Sequence, residues 1–304
     1  MAEPEGTTIA TTVSRVVDGD TVVVPVEGRD EHLRLLCLDT EESRPGGNKP
    51  DTPWGRRAKD EATALLPPGE AVTLEFPGTE SVEVGLRRHR DNFGRLLVFL
   101  YFGAGDDFQE HMIRAGYSPY FSKYGHAAFD GHRRRYVAAE RAAQAAHIGV
   151  WDQVTVNGSE MRNYATLGVW WELRAALIDD YRARRAADST LLNSRLDYEQ
   201  LHELSESGQE QVTVFTELAG IQLVGQRRAV VDIGSRHQPF KVFIPDIETA
   251  GGEALLSLLG SRYLAGDPTH VRRSYAYVSG LLTRFRDEPE VVVTDPDQIV
   301  DTPA

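Results

Sequence analysis

The chain has 304 residues, of which 41% are apolar and 26% are charged. This is the composition of a water-soluble globular protein with enough apolar side chains for about two domains. The formal net charge is −13, with −6 up to Asp152 and −7 beyond it. This charge excludes a protein that coats nucleic acid through bulk positive charge. Any contact with nucleic acid must therefore use a local basic patch.

Cys37 is the single cysteine, so the chain forms no internal disulfide. Its position in an apolar run favours a buried side chain over a nucleophile. The first residues lack the basic and apolar regions of a signal peptide. No apolar run reaches the roughly 18 residues of a membrane-spanning helix. We expect a cytoplasmic protein that does not enter a membrane.

The first half is predicted to consist mainly of β-strands. The pair Asp18 and Gly19 predicts a hairpin turn between the first two strands. A polar stretch rich in Pro and Gly, residues 41–53, predicts a mobile loop. The predicted strands are 11–17, 21–26, 32–38, 71–76 and 96–102, and the predicted helices are 55–66, 107–115 and 129–147. Five short strands with one intervening helix predict a small β-barrel with helices packed on it.

The second half begins with a predicted helical linker at residues 153–209 and continues with a β domain at 210–304. The linker contains predicted helices at 164–185 and 198–204. The β domain contains predicted strands at 212–215, 228–233, 240–244, 275–284 and 291–294, a helix at 251–259 and a turn at 287–289. Five strands with a helix between the third and fourth indicate a second OB-type barrel. The fold class expected for the whole chain is mainly β with helices (α+β), with residues 1–152 as the first domain.

Five charged side chains of the first half suit the hydrolysis of a phosphodiester bond. Asp20 follows the first turn and Asp39 ends the third predicted strand, so both can offer hard oxygen ligands to Ca²⁺ at one barrel mouth. Glu42 lies three residues further on, where it can hold or deprotonate a water. Arg34 and Arg95 come from different strands and can clamp a phosphate. Each residue alone is common in proteins, and the combination and its order carry the prediction.

Three segments of the first half resemble the signature motifs of the staphylococcal nuclease (thermonuclease) family, in family order and near family spacing. They are Val17-Asp-Gly-Asp-Thr-Val22, Arg34-Leu-Leu-Cys-Leu-Asp-Thr-Glu-Glu42 and Asp91-Asn-Phe-Gly-Arg95. Residues 116–121 and 149–151 resemble the last two landmarks of that domain. The resemblance covers roughly residues 8–152 and implies an OB-type barrel with helices packed on it.

The resemblance also implies roles for individual residues. Asp20 and Asp39 would bind Ca²⁺ together with the backbone carbonyl of Thr40, and Asp18 would be a nearby acidic residue outside the ligand set. Glu42 would be the general base or would orient the attacking water. The phosphate would be bound by the remaining two residues, Arg34 and Arg95. The family cleaves DNA and RNA and leaves 3′-phosphate products.

The sequence departs from the family pattern at three positions around this site. Glu41 stands where the family often has Pro, Phe93 replaces a frequent Tyr, and Phe121 stands where a base-stacking Tyr is expected. These departures bear on substrate affinity and preference more than on catalysis. The alternative candidates for stacking on a base are Tyr117, Tyr120 and Tyr124.

The end of the chain resembles the last hairpin of OB-fold nucleic-acid-binding domains, over about residues 210–300. Such domains bind single strands with a basic groove and stacking aromatic rings. The basic candidates are Arg228, Lys241, Arg273, Arg284 and Arg286, with Arg227, Arg236 and Arg272 as further members, and the interleaved aromatic residues are Phe240, Phe243, Tyr275 and Phe285. The alternative is a purely structural or oligomerising barrel, because half of these aromatic residues should point inward.

Three hypotheses follow for the whole chain. The first is a Ca²⁺-dependent nuclease for DNA and/or RNA whose second domain engages single-stranded substrate. The second is a nucleic-acid-binding scaffold on a nuclease fold, although degenerate copies of this kind typically lack the acidic and arginine set retained here. The third is a toxic effector nuclease restrained by a protein partner, with the second half as the docking or self-association module.

Overall fold

The computed structural model describes residues 3–44, 52–91, 93–122, 129–152, 164–208, 210–218, 220–264 and 274–303. Two compact units divide the chain: Met1–Asp91 with Arg95–Ala175, and Asn92–Gly94 with Ala176–Ala304. Each unit contains one β-sheet, and the protein is of mixed α and β class. The predicted features that lie outside the described residues are Tyr124, Arg272, Arg273 and residues 45–51 of the predicted loop.

The sheet of the first unit closes on itself. Its strands are β1 (Thr8–Thr12), β2 (Arg15–Asp18), β3 (Thr21–Val26), β4 (Arg29–Leu35), β5 (Ala71–Glu75), β6 (Leu96–Phe102) and β7 (Asp106–Asp107). Their order is β1-β5-β6-β4-β3-β2, with β7 beside β6. β1 and β2 are consecutive in the chain but lie at opposite ends of this order. Val13 donates its N–H to Glu70 at 2.9 Å, and Ser14 donates its own to Val23 at 2.8 Å, so one bent segment joins the two ends into the predicted barrel.

Helices cover the barrel of the first unit. They are α1 (Pro53–Leu65), α2 (Val82–Arg88), α3 (Phe108–Arg114) and α4 (Asp130–Ala145). Helix α1 begins at Thr52, whose hydroxyl accepts a hydrogen bond from the N–H of Gly55, and Pro53 occupies the first turn, where its missing N–H costs nothing. The helix buries the small residues Gly55, Ala58 and Ala62. These small side chains let its backbone approach the barrel closely.

Strand β4, which corresponds to the third predicted strand, ends earlier than the predicted range of 32–38. β4 stops at Leu35, and Cys37 takes a left-handed conformation with a φ of 64°, which interrupts the strand geometry. Beyond this kink the carbonyl of Cys37 accepts the N–H of Phe121 at 3.0 Å. Cys37 is buried as predicted. The kink directs the following residues, among them Asp39, toward the segment that precedes Phe121.

The sheet of the second unit repeats the strand order of the first. Its strands are β8 (Leu191–Asn193), β9 (Glu210–Glu217), β10 (Ile221–Val224), β11 (Arg228–Asp232), β12 (Lys241–Ile244), β13 (Tyr275–Phe285), β14 (Glu288–Val292) and β15 (Ile299–Val300). The path is β10-β11-β12-β14-β13-β9-β8, with β12 and β14 parallel. Consecutive β9 and β10 correspond to β1 and β2, and helix α7 (Ala250–Leu258) follows β12. A second β domain is therefore present, and its strand order matches that of the first sheet.

The last hairpin differs from the prediction by two residues. The turn was expected at 287–289 and the strand at 291–294, but Phe285 pairs with Glu288 and the turn consists of Arg286 and Asp287. Both turn residues have positive φ angles, 53° and 65°, as two-residue hairpins with the twist of the strands require. Pro289 lies within β14. It led to the wrong turn position because proline is common in turns.

The predicted helical linker is divided between the two units. Helix α5 (Tyr164–Ala187) begins in the first unit, and its residues from Ala176 onward belong to the second together with α6 (Tyr198–Leu204). The side chains of Trp170 and Trp171 lie outside the described part. Among the helices that the structure describes, none combines the length and apolar character needed to cross a bilayer.

Candidate active site

A cavity of about 310 Å³ opens at one mouth of the first barrel. Strands β2 and β3 and the turn between them, strand β4, the chain after β4 and the start of β6 bring its walls together. The lining side chains include Asp18, Asp20, Thr21, Arg34, Thr40, Glu41, Glu42 and Arg95. Nearly all the residues predicted for catalysis and cation binding in the first half therefore meet in one place.

Arg34 lies between the two predicted metal ligands. Its guanidinium forms an ion pair with the carboxylate of Asp20 and lies 3.3 Å from Oδ1 of Asp39. The same group donates to the carbonyl of Leu38 at 3.1 Å. All three charged side chains are buried, and in such surroundings each ion pair is strengthened by the low local dielectric constant. The arginine offsets the repulsion between two carboxylates that share one site.

Hydrogen bonds fix the segment that carries Asp39 and Thr40. The N–H of Asp39 donates to the Ser118 hydroxyl at 2.8 Å, and the N–H of Thr40 donates to Oδ2 of Asp20 at 3.2 Å. The hydroxyl of Thr21 also donates to Asp20, at 3.0 Å. Ser118 belongs to the segment at 116–121 that resembled the family, and the structure shows what it does for Asp39.

Arg95 is oriented by a carboxylate for which the sequence indicated no role. Asp91 is fully buried, and its carboxylate accepts from Nε of Arg95 at 2.7 Å and from the Arg95 backbone at 2.9 Å. The guanidinium also reaches the Thr21 hydroxyl at 3.5 Å. The side chain of Arg95 keeps 25% of its surface exposed. It is therefore fixed at one end and accessible to a ligand in the cavity.

Residues 40–43, named here the 40–43 loop, are held from several sides. Asp18 accepts from both the backbone and the hydroxyl of Ser43, at 3.3 and 3.2 Å. A Cβ added at Gly55 would overlap the backbone carbonyl of Glu42, so the first turn of α1 packs directly against this loop. Asp18 therefore lines the cavity and also anchors the 40–43 loop through Ser43.

The donor atoms around the cavity suit a hard cation. Carboxylate and carbonyl oxygens are the ligands that Ca²⁺ prefers. One guanidinium reaches both Asp20 and Asp39, and the backbone N–H of Thr40 donates to Asp20. Within the described ranges, no group of three His, Cys, Asp or Glu side chains is arranged to hold a metal. A site made of two carboxylates and a backbone carbonyl would not form such a group.

Comparison with known proteins shows similarity to nucleases over the unit that contains this cavity. Residues 32–153 match the family described as Staphylococcal nuclease homologue. The chain is 29% identical over 148 residues to the thermonuclease of Staphylococcus intermedius, covering 46% of this chain and 75% of that protein. It is 28% identical over 140 residues to the thermonuclease of Staphylococcus hyicus, covering 46% and 73%. The endonuclease YncB of Bacillus subtilis is 32% identical over 108 residues, covering 34% and 44%.

Residues 32–153 form a staphylococcal nuclease-like domain. The family match begins at His32, whereas the barrel begins with β1 at Thr8 and contributes Asp20 to the cavity. The barrel of the first unit therefore also contains β1, β2 and β3, which precede the matched residues. The first unit also contains the start of α5, up to Ala175.

The aromatic candidates of the nuclease-like domain differ in accessibility. Tyr120 is buried in the core, with its ring centroid 6.1 Å from that of Tyr136, so it offers no face to a base. Phe121 is also buried, next to Trp54. Tyr117 is partly buried against the core, while Phe93 is 77% exposed. Of the described tyrosine candidates, Tyr117 alone keeps a partly open ring.

Two of the described basic candidates in the second unit are paired with carboxylates. Lys241 forms an ion pair with Glu288 at 2.8 Å, and Arg284 lies 3.5 Å from Glu206 and 2.9 Å from His202. Carboxylates therefore neutralise two of the predicted phosphate-binding residues. The aromatic residues Phe240 and Tyr275 are buried in the core, as strand alternation required.

The tip of the β13–β14 hairpin is different. Phe285 is 56% exposed, and the guanidinium of the exposed Arg286 lies 5.2 Å from its ring centroid. Arg228 is exposed as well, at the start of β11. These three residues keep the combination of positive charge and an open aromatic face that the sequence predicted for the second unit.

Proposed function

We propose that this protein is a Ca²⁺-dependent nuclease that hydrolyses phosphodiester bonds of DNA and/or RNA. The proposal rests on the convergence of Asp20, Arg34, Glu42 and Arg95 on one cavity from distant parts of the sequence. Asp39 lies beside them, 3.3 Å from the Arg34 guanidinium. The family match and the thermonuclease relatives support the same reaction class.

In this proposal Asp20, Asp39 and the carbonyl of Thr40 hold the cation. When bound, Ca²⁺ supplies electrostatic stabilisation of the charge that gathers on the phosphate. Two acidic ligands lower the net charge of the site and thereby favour a divalent cation. The buried position of both carboxylates keeps water from screening that attraction.

Glu42 and the two arginines carry out the remaining steps. The Glu42 carboxylate orients a water and takes its proton as the water oxygen attacks phosphorus. The bond between phosphorus and the 5′ oxygen breaks, the 5′ oxygen gains a proton, and the phosphate stays on the 3′ side. Arg34 and Arg95 donate hydrogen bonds to phosphate oxygens and stabilise their charge in the transition state.

The first experiment measures cleavage of labelled single- and double-stranded DNA and RNA, with Ca²⁺ or with EDTA. We expect Ca²⁺-dependent cutting by the wild type. Removing the base with Glu42→Gln, or one positive charge with Arg34→Ala or Arg95→Ala, should lower kcat by about 10²- to 10³-fold. Arg87→Ala is the matched control, because Arg87 is an exposed arginine in an ion pair with Glu83. Cutting in EDTA, or wild-type rates for Arg34→Ala, would contradict the proposal.

We further propose that the second unit engages single-stranded substrate through the hairpin tip. Stacking on Phe285 and a phosphate contact from Arg286 would together bind a single strand with little sequence preference. Fluorescence anisotropy of a labelled oligonucleotide, in EDTA to prevent cutting, tests this. Phe285→Ala and Arg286→Ala should each weaken binding by about five- to tenfold, whereas Leu223→Ala, at an exposed apolar residue of the β10–β11 hairpin, should not. If the two variants bind the oligonucleotide as tightly as the wild type, the second unit would instead be a protein-docking or self-association module. Light scattering would then test self-association, and cleavage assays with and without a protein partner would test docking.

A further inference from the structure

A fourth carboxylate stands at the cavity, and it is held by a residue far away in the sequence. Glu41 lies between the proposed ligand Thr40 and the proposed base Glu42, and it is only 1% exposed. Its Oε1 accepts a hydrogen bond from the hydroxyl of Tyr164, the first residue of α5. The 40–43 loop is thereby tied to a helix that begins beyond the residues matched by the nuclease family.

Tyr164 is itself fixed in place. It is buried in a small apolar cluster with Trp54, Phe121 and Val150. The indole of Trp151 contacts its ring edge-on, with centroids 5.7 Å apart. Because a packed ring has few alternative positions, its hydroxyl is presented to Glu41 from a rigid support.

Helix α5 contributes a second contact to the same cluster. The guanidinium of Arg174 lies 5.4 Å from the ring centroid of Phe121, at the distance of a cation–π interaction. Trp54 belongs to the first turn of α1, next to Gly55, which packs on the backbone of Glu42. The cluster therefore supports the 40–43 loop both through the Tyr164 hydroxyl and through the start of α1.

The charge of Glu41 gives this contact a chemical consequence. When ionised, Glu41 adds a third negative charge to those of Asp20 and Asp39 near the proposed cation site. The distance of its carboxylate from that site sets the strength of its attraction for a cation. A hydroxyl donor stabilises the charged carboxylate in one orientation. The neighbouring backbone groups, the Thr40 carbonyl and the Glu42 Cα, move with any displacement of Glu41, since they adjoin it in the chain.

We propose that Tyr164 is a positioning residue of the active site, which orders the 40–43 loop by holding Glu41 and thereby sets cation affinity and turnover. The inference rests on the proposed nuclease function for its catalytic part. It makes the first half of α5 a component of the nuclease site, in addition to the barrel and its own helices.

The test is Tyr164→Phe in the full chain, which removes one hydroxyl and keeps the ring in its cluster. Hydrogen exchange of the metal-free protein should show the amides of residues 40–43 exchanging about tenfold faster, because a hydrogen bond to a charged group is lost. Ca²⁺ titration by calorimetry should show a Kd several-fold higher, and kcat should fall about tenfold with a smaller change in KM. Tyr277→Phe is the matched control, since Tyr277 is a buried tyrosine of the second unit whose hydroxyl lies 3.4 Å from Asp180.

A double-mutant cycle with Glu41→Gln separates positioning from general destabilisation. If the hydroxyl acts through Glu41, Tyr164→Phe should change kcat and Ca²⁺ affinity much less in the Glu41→Gln background. Additive effects, or unchanged exchange of the loop amides in Tyr164→Phe, would overturn the proposal. A wild type that neither cuts nor binds Ca²⁺ would instead overturn the proposed function, and the exchange comparison would still decide whether Tyr164 orders the loop.

Discussion

The two arginines of the cavity are held in contrasting ways. Arg34 is buried between Asp20 and Asp39, with 10% of its side chain exposed. Arg95 is more open, and one buried carboxylate, that of Asp91, sets its direction. The orientation of Arg34 is therefore determined by several partners, whereas that of Arg95 depends strongly on Asp91.

Asp91→Asn should lower kcat/KM by about 10- to 100-fold, because the weakened contact lets the Arg95 guanidinium leave its position over the cavity. Steady-state kinetics on a labelled DNA substrate would measure this. The matched control is Glu83→Gln, which breaks the exposed pair of Glu83 with Arg87, also four residues apart, and should leave the rate unchanged. Unaltered kinetics of Asp91→Asn would show that Arg95 is oriented by other contacts.

Glu140 on α4 predicts a pH-dependent stability. Burial raises its pKa from 4.5 to about 7, and the N–H of Tyr120, which donates to it at 2.9 Å, only partly opposes this shift. A raised carboxyl pKa contributes stability below about pH 4.5, and that contribution is lost as the pH rises through about 7. Glu140→Gln should therefore raise the free energy of unfolding by about 1–3 kcal/mol at pH 8 and change it little at pH 4.5.

Urea unfolding at both pH values would measure the effect, with Glu203→Gln, an exposed position, as the control. A stabilisation of equal size at the two pH values would show that the amide acts through packing and that ionisation of Glu140 has no part in it.

The sequence allowed Asp20, Arg34, Asp39 and Arg95 to be predicted as neighbours, because strand positions and a shared barrel mouth constrain them. Asp91 lies inside a motif that the sequence analysis recognised. Its position in that motif does not show whether its side chain only forms a turn or also binds Arg95. Tyr164 was beyond reach, since a contact across 123 positions leaves no periodic or local pattern.

Among the elements, the start of α1 packs directly against the 40–43 loop. Gly55 allows the helix backbone to approach the carbonyl of Glu42, where any side chain would overlap it. The pattern of Gly55, Ala58 and Ala62 along the buried face of α1 reflects this close packing. The helix backbone therefore packs against the backbone of Glu42, the proposed base.

Gly55→Ala should reduce the free energy of unfolding by about 1–3 kcal/mol, because the new methyl forces the helix away from the 40–43 loop. It should also lower kcat by displacing Glu42. Thermal unfolding and cleavage rates would be compared with Gly168→Ala, a helical glycine whose added Cβ meets open space and which should be neutral or stabilising. If both substitutions have the same effect, the stability change in Gly55→Ala comes from helix propensity and not from close packing.

The long apolar strands and the helices with clear periodic patterns were predicted well, and β6 and α6 matched to the residue. Short elements were not predicted: α2, β8 and β10 lie in segments of mixed polarity. The last three residues of β10, Gln222, Leu223 and Val224, are exposed although two of them are apolar, so this strand has no alternation of buried and exposed residues for the sequence to reveal. This segment is a strand because it pairs with β11, and pairing of this kind cannot be deduced from its own residues.

At the scale of the molecule, the net charge of −13 opposes binding of a polyanion. Substrate affinity must come from a few local cations, and it should weaken as salt rises because phosphate neutralisation releases counterions. Anisotropy titrations of Glu42→Gln with a labelled oligonucleotide, between 50 and 200 mM KCl, should show Kd rising by about tenfold or more. A constant Kd would mean that apolar stacking dominates and that the arginines contribute little to binding.

The bent first segment of the first barrel has a consequence for solubility. β1 and β2 occupy both ends of the strand order, and they are only five and four residues long. Neither end of that sheet therefore presents a long, straight row of backbone groups to which a strand from another copy could add. Protection of this kind fails if the segment detaches, so loosening of residues 8–18 would be the step that exposes the chain to edge-to-edge aggregation.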